Sequence, residues 1–224
     1  MSKVLIIGGH GQVALLAEPM LSEAGHQTTA VVRNPDHVAD IEDSGARAQV
    51  ADIETLNQDQ IDELVAGYDV VVWSAGAGGG NPARTKAVDE AAAERVLDAV
   101  ERTGARFLMV SYFGSSRHHG IPEQSGFFAY AEAKSRVDDA IRKSSTDWVI
   151  LAPSALTLEP EGGIVLDPAV DSAEASGIID SDQIPRATVA RMITELIARP
   201  TISEVTLRCN GGNTAVSEAL DALA

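Results

Sequence analysis

Lys3-Val4-Leu5-Ile6-Ile7-Gly8-Gly9-His10-Gly11-Gln12-Val13-Ala14 begins as an unbroken apolar run and stops abruptly in glycines. The run is short, rich in branched side chains and does not alternate with polar residues, as expected of a parallel strand covered on both faces. The glycines belong to a dinucleotide fingerprint, Gly9-x-Gly11-x-x-Ala14, overlapped by a second spacing, Gly8-x-x-Gly11-x-x-Ala14. Glycine suits this turn because the backbone must reverse tightly and approach a pyrophosphate, while a small third position lets helix and strand pack. Amides at the helix N-terminus then receive the phosphates. The motif succeeds a strand and opens a helix, which separates it from a chance glycine cluster. Gly8, Gly9, His10, Gly11, Gln12 and Val13 are therefore read as cofactor-binding.

Working outward, further strand-like runs lie at 28–32, 46–50, 70–73, 107–110, 148–151 and 205–207. Between them, apolar residues at three-to-four spacing predict helices at 13–24, 85–102, 129–143, 187–198 and 216–223. Alternating strands and helices imply right-handed crossovers and a doubly wound parallel sheet, the α/β Rossmann arrangement. With 224 residues and no repeat or low-complexity linker, one domain spanning 1–224 is expected. Loops after strand carboxyl ends surround the ligand crevice of such a sheet. The glycine-rich stretch 76–80 with Asn81-Pro82 falls there, as does the loop 114–126. Ala75 and Gly76 are assigned to the cofactor, and segments 112–126 and 153–186 to a small substrate pocket.

A formal net charge of −16 repels nucleic-acid phosphates and anionic lipid, so neither nucleic acid nor membrane is an expected partner. An anionic ligand needs a local cationic or helix-terminal site. The single cysteine, Cys209, fits a reducing compartment and a buried apolar thiol. The 4–7 run is too short for a signal-peptide core, and a cytoplasmic protein is expected. The acidic stretch 171–182 reads as a surface segment, and His118-His119, lacking an acidic cluster, as solvated loop residues; no metal site is expected.

At the end of the second strand stands Arg33, where an acidic residue would bond the adenosine ribose and favour NAD. A guanidinium can hold a 2′-phosphate through paired charge-assisted bonds, which makes NADP the expected cofactor and NAD the lesser choice. The alternative is a solvated surface arginine. Asp52 can accept from the adenine amino group with Ile53 covering the ring, or simply cap a turn.

Tyr130-Ala131-Glu132-Ala133-Lys134 places a phenol and an ammonium four residues apart on one helix face. A tyrosine of pKa about 10 needs about 4 kcal/mol of phenolate stabilisation to titrate near neutrality, and an adjacent lysine contributes to it. The plainer reading is an amphipathic surface helix. Ser111, at the end of the fifth strand, can bond an acceptor carbonyl as Tyr130 protonates it, or serve as a turn residue.

Taken together, the glycine turn, Arg33, Asp52, Val88-Asp89, the segment leading into Val110-Ser111, Tyr130 with Lys134, and Leu151-Ala152-Pro153 resemble the short-chain dehydrogenase/reductase superfamily. Within it they are similar to the atypical branch of small NAD(P)H-binding proteins related to biliverdin and flavin reductases. The resemblance implies Ser111, Tyr130 and Lys134 as the catalytic serine, tyrosine and lysine, with Lys134 also on the nicotinamide ribose and Pro153 beside the cofactor. The chain departs from the family's pattern at Ala152-Pro153-Ser154, where relatives usually carry Arg-Pro-Gly, and at Tyr112, where many have a second serine. The expected activity is NADPH-dependent reduction of a small carbonyl, quinone or flavin-like acceptor. The competing readings are a non-catalytic NADP(H)-binding redox sensor and a nucleotide-sugar epimerase or dehydratase. The last is disfavoured because only about 70 residues follow Pro153, little for a sugar-binding lobe.

Overall fold

In the computed structural model, which describes residues 1–77, 81–170 and 179–223, eight strands form one central sheet. In chain order the elements begin β1 (Lys3–Ile7), α1 (Ala14–Glu23), β2 (Gln27–Val32), α2 (Val38–Asp43), β3 (Arg47–Val50), α3 (Gln58–Val65) and β4 (Val70–Trp73). After α4 (Pro82–Thr85) comes a wider π-helical segment, Lys86–Ala92, which runs on into α5 (Ala93–Thr103). Then come β5 (Arg106–Val110), α6 (Phe128–Lys143), β6 (Trp148–Pro153), β7 (Ala155–Thr157), β8 (Gly163–Val170) and β9 (Gln183–Pro185). The chain continues through α7 (Arg186–Ile197), β10 (Val205–Gly212) and α8 (Val216–Asp221).

The sheet order is β3-β2-β1-β4-β5-β6-β10-β8, with β7 and β9 paired as a separate two-stranded sheet. Every pairing in the large sheet is parallel except β10 with β8. The apolar runs predicted as strands all lie in this sheet. The antiparallel edge strand β8 was not expected, and neither was the small sheet. The expected helix 85–102 is not a uniform α-helix, since its first two turns take the π form.

Strand alternation divides the core between the two faces. Val4, Ile6, Val72 and Leu108 pack with α1, α7 and α8, whereas Leu5, Ile7, Trp73, Phe107 and Met109 pack with α3, α5 and α6. Cys209 is fully buried in the first of these layers. Because β1 lies between β2 and β4, the winding direction reverses there, and an open crevice forms at the carboxyl ends of β1 and β4. No helix among the described residues is long and apolar enough to cross a membrane, and none of them forms a cluster of three or more metal-ligating side chains. Of the acidic stretch 171–182, residues 171–178 lie outside the described residues, as do 78–80 of the glycine-rich stretch.

Candidate active site

The turn after β1 occupies the switch point. Gly8 has a φ of +90°, and a Cβ there would come 2.5 Å from the Cα of Ala75, so a side chain would push β1 and the β4 loop apart. Gly9 serves a different purpose from the one expected of it. A Cβ on Gly9 would lie 2.5 Å from the Ala30 Cβ, so this glycine lets the turn rest on β2 rather than open onto the crevice. Val13 is likewise buried in the core at the head of α1. The amides of Gln12 and Val13 have no hydrogen-bond acceptor among the described residues and stand at the N-terminus of α1, a cradle suited to a pyrophosphate.

A cleft of about 300 Å³ runs from this turn across the end of β2. Of the sequence-predicted residues it gathers Gly8, His10, Gly11, Arg33, Asp52, Ile53, Ala75 and Gly76. Gly9, Gln12, Val13, Lys134 and Pro153 do not line it. Asp52 accepts the Glu54 amide at 3.1 Å, so its turn-capping role places Ile53 and Glu54 in the cleft wall. The polar residues Asn34, His37, Glu54, Ser74 and Arg84, which sequence reading missed, also line the cleft. His37 stacks on His10 with ring centroids 3.5 Å apart, and His10 bonds Asp40 at 2.7 Å. Glu54 lies 4.0 Å from Arg33 and 3.5 Å from Arg84, so both guanidinium groups already share one carboxylate. Of these three charged groups only Arg33 carried a sequence signal; Glu54 and Arg84 depend on folding to reach it.

The second group of residues sits at the carboxyl end of β5, against α6. Tyr130 packs on Phe127 and Tyr112, with ring centroids 5.1 and 5.6 Å away. Burial, together with the charges of Asp89 and Asp138, pushes the Tyr130 phenol well above its ordinary value. Tyr112 is pushed up to about 12, by burial first and then by the charges of Asp138 and Glu132. Lys134, one turn along from Tyr130, is fully buried, and burial lowers its pKa against the opposing pull of Asp138 and Asp89. Its ammonium donates to the Val110 carbonyl at 2.8 Å and to the Met109 thioether at 3.2 Å. Ser111 is buried, and its hydroxyl is joined at 2.5 Å to the Asp138 carboxylate. In place of a hydroxyl free to meet an acceptor, the structure has Ser111 tied to a buried acid that sequence reading missed. Ser115 bonds the same carboxylate oxygen. Asp138 stands four residues past Lys134 on the same helix face, a spacing that could have marked it.

Asp89, inside the π-helical segment, connects the two groups. Its carboxylate accepts the Ala77 amide at 3.1 Å just beyond the cleft, and its charge acts on both Lys134 and Tyr130. The loop between β5 and α6 is held by His119, which accepts from the Ile121 amide at 3.0 Å and bonds Glu132 at 3.0 Å. With Nδ1 accepting, Nε2 carries the proton toward Glu132. This makes His119 a tie between loop and helix rather than a solvated residue.

A family model described as NAD(P)H-binding matches residues 8–200. Among curated proteins, the chain is 35% identical over 185 residues to the UPF0659 protein C216.03 of Schizosaccharomyces pombe, covering 74% of this chain and 75% of that protein. It is 27% identical over 224 residues to the uncharacterized sugar epimerase YhfK of Bacillus subtilis, covering 99% and 100%. Among solved structures, a Bacillus halodurans protein provisionally named an NAD-dependent epimerase/dehydratase superposes with a TM-score of 0.86 at 28% identity, covering 99% of this chain and 100% of that one. The anaerobilin reductase ChuY of Escherichia coli O157:H7 shares the fold with a TM-score of 0.74 at 17% identity, covering 94% and 97%. The glycine turn at the switch point and the match over most of its length agree: this chain belongs to the NAD(P)H-binding family of Rossmann proteins.

Proposed function

We propose that the protein is an NADPH-dependent reductase of the short-chain dehydrogenase/reductase type, passing hydride to a small carbonyl, quinone or flavin-like acceptor. The observation that carries this reading is the junction at Asp89, which bonds the Ala77 amide beside the cleft residue Gly76 and acts by its charge on Tyr130 and Lys134. When bound, NADPH supplies the hydride. The free amides of Gln12 and Val13 receive the pyrophosphate, Ile53 covers the adenine, and Arg33 takes the 2′-phosphate in exchange for Glu54. An ammonium has three N–H donors, and Lys134 uses two on Val110 and Met109, which leaves one for a ribose hydroxyl. Burial, joined by the charge of Asp89, keeps the Tyr130 phenol protonated, so it enters the reaction loaded as the acid. The partner implied is a small-molecule acceptor lying against the Tyr112, Phe127 and Tyr130 rings.

One observation favours a second reading, an NADP(H)-binding sensor without turnover. The Lys134 ammonium is turned toward Val110 and Met109 rather than toward the phenol it would tune. The epimerase names of the Bacillus relatives describe a third chemistry. After Pro153 the described residues build β7 to β10, α7 and α8. The deciding experiment is NADPH oxidation against a panel of quinones, flavins, aldehydes and ketones, read beside coenzyme affinity. Turnover with one acceptor class, faster with NADPH than with NADH, is expected. Tight NADPH binding with no turnover anywhere on the panel would favour the sensor.

A further inference from the structure

Three ionisable side chains are buried together beneath the acceptor side of the site: Asp89, Lys134 and Asp138 are each about 1% exposed or less. Two carboxylates then share one buried ammonium. Two further cations act on them from a distance, Arg84 on Asp89 and Arg142 on Asp138. Each is already engaged by another acid, Arg84 by Glu54 at 3.5 Å and Arg142 by Asp139 at 3.2 Å. In a low-dielectric interior an uncompensated charge is costly, and a carboxylate left over takes up a proton instead.

The hydrogen-bond partners decide which of the two does so. Asp89 accepts from a backbone amide, that of Ala77, and an amide can only donate, so this partner favours the ionised form. Asp138 meets two hydroxyls, Ser111 and Ser115, and a hydroxyl can accept as well as donate. Its partners therefore suit the neutral acid. Burial raises the Asp138 pKa, opposed by Lys134, the two serines and Arg142. Tyr130 and Tyr112 also face it, and its charge raises both phenols.

The state of Asp138 sets the direction of the Ser111 hydroxyl. Against an ionised carboxylate, Ser111 must give its single hydrogen to Asp138 and offers an acceptor molecule only lone pairs. Against the neutral acid, Asp138 donates to the Ser111 oxygen and accepts from Ser115. The Ser111 hydrogen is then free to point at a carbonyl or ring nitrogen of the acceptor. We infer that Asp138 is a positioning residue whose protonated form turns Ser111 into the hydrogen-bond donor of the reductase site, while its ionisation switches that donor off. The inference rests on the reductase reading for its consequence, but not for the protonation state itself.

Two measurements on the full chain test it separately. Infrared difference spectra of wild type minus Asp138→Asn at neutral pH should contain a protonated-carboxyl C=O band that gives way to carboxylate as pH rises. Absence of that band would overturn the inference whether or not any acceptor is reduced. If the band is present and no acceptor on the panel is turned over, the reductase reading fails and the protonation state stands. Where an acceptor is found, kcat should fall on the alkaline side with the same midpoint as the infrared band. Asp138→Asn should keep measurable turnover and lose that limb, because an amide nitrogen donates to Ser111 at every pH. Ser115→Ala, on the partly exposed loop, guards against misfolding of the first variant. It removes a bond that stabilises the carboxylate, so the alkaline limb should move to higher pH. A limb unmoved in Ser115→Ala would sink the inference, since a merely structural Asp138 predicts no such shift.

Discussion

On the proposed NADPH reading Arg33 should set coenzyme choice, and its present partner sharpens the expectation. Glu54 holds it at 4.0 Å across a cleft mouth where the arginine side chain is 56% exposed. Arg33→Glu should weaken NADPH by about tenfold or more, roughly the loss of one charge-assisted bond reduced by solvent screening, and leave NADH binding nearly intact. Thermal shifts with both coenzymes at equal subsaturating concentration measure this, and unchanged NADPH affinity would make Arg33 a bystander. Tyr130→Phe preserves the packing against Tyr112 and Phe127 but removes the phenolic proton, so turnover should drop by about 10²–10⁴ with little change in NADPH affinity. Wild-type rates in that variant would assign the proton to another donor. At this scale the sequence was readable where chemistry has a fixed spacing. Tyr130 and Lys134 stand four apart on α6, and Arg33 directly follows β2. It was silent where the partner arrives from a distant segment, as with Glu54 at Arg33, Asp89 at Ala77 and Ser115 at Asp138.

Among the elements, the β1 to α1 turn shows how one motif divides its duties between ligand and packing. Gly8 and Gly11 line the cleft, whereas Gly9 sits against Ala30 of β2. Gly9→Ala should destabilise by about 1–3 kcal/mol through overpacking, with Ala30→Gly recovering part of the loss. Denaturant unfolding of the two single variants and the double variant checks this, and strict additivity would mean that the contact does not carry the cost. Strands β1, β4, β5 and β6 were legible because each is a compact apolar run buried on both faces. Strand β8 was not, because Gly163 opens it, Asp167 interrupts it and it pairs antiparallel at an edge. The π-helical turns at Lys86–Ala92 were hidden for a different reason. Apolar periodicity barely distinguishes an α from a π turn over seven residues, yet the π segment contains Asp89, the carboxylate that bonds the Ala77 amide.

Across the whole molecule, a net charge of −16 makes carboxylate ionisation a general influence on stability, and a buried acid outside the candidate site isolates one such contribution. Glu18 of α1 is fully buried, with no mark in the neighbouring Ala17 and Pro19 to foretell it. Ser44 lies 2.7 Å from its carboxyl group and 2.6 Å from the Ile41 carbonyl. A hydroxyl has one hydrogen, and the carbonyl can only accept it, so Glu18 satisfies Ser44 best by donating a proton of its own. Burial agrees, raising the Glu18 pKa from 4.5 to about 7 against the opposing Ser44 bond. Between those two values the folded chain holds a proton that the unfolded chain has released, so this contribution is complete below pH 4.5 and is lost as pH rises through about 7. Glu18→Gln keeps the shape and the donor but cannot ionise. Relative to that variant, wild type should lose about 2–3 kcal/mol of unfolding free energy between about pH 5 and about pH 8, at about 1.4 kcal/mol per pKa unit. Urea unfolding of both proteins across that range isolates Glu18 from the titration of the other acids, which the two share. Parallel stability curves would show that Glu18 ionises without cost, and the α1 to Ser44 contact would then have to admit water.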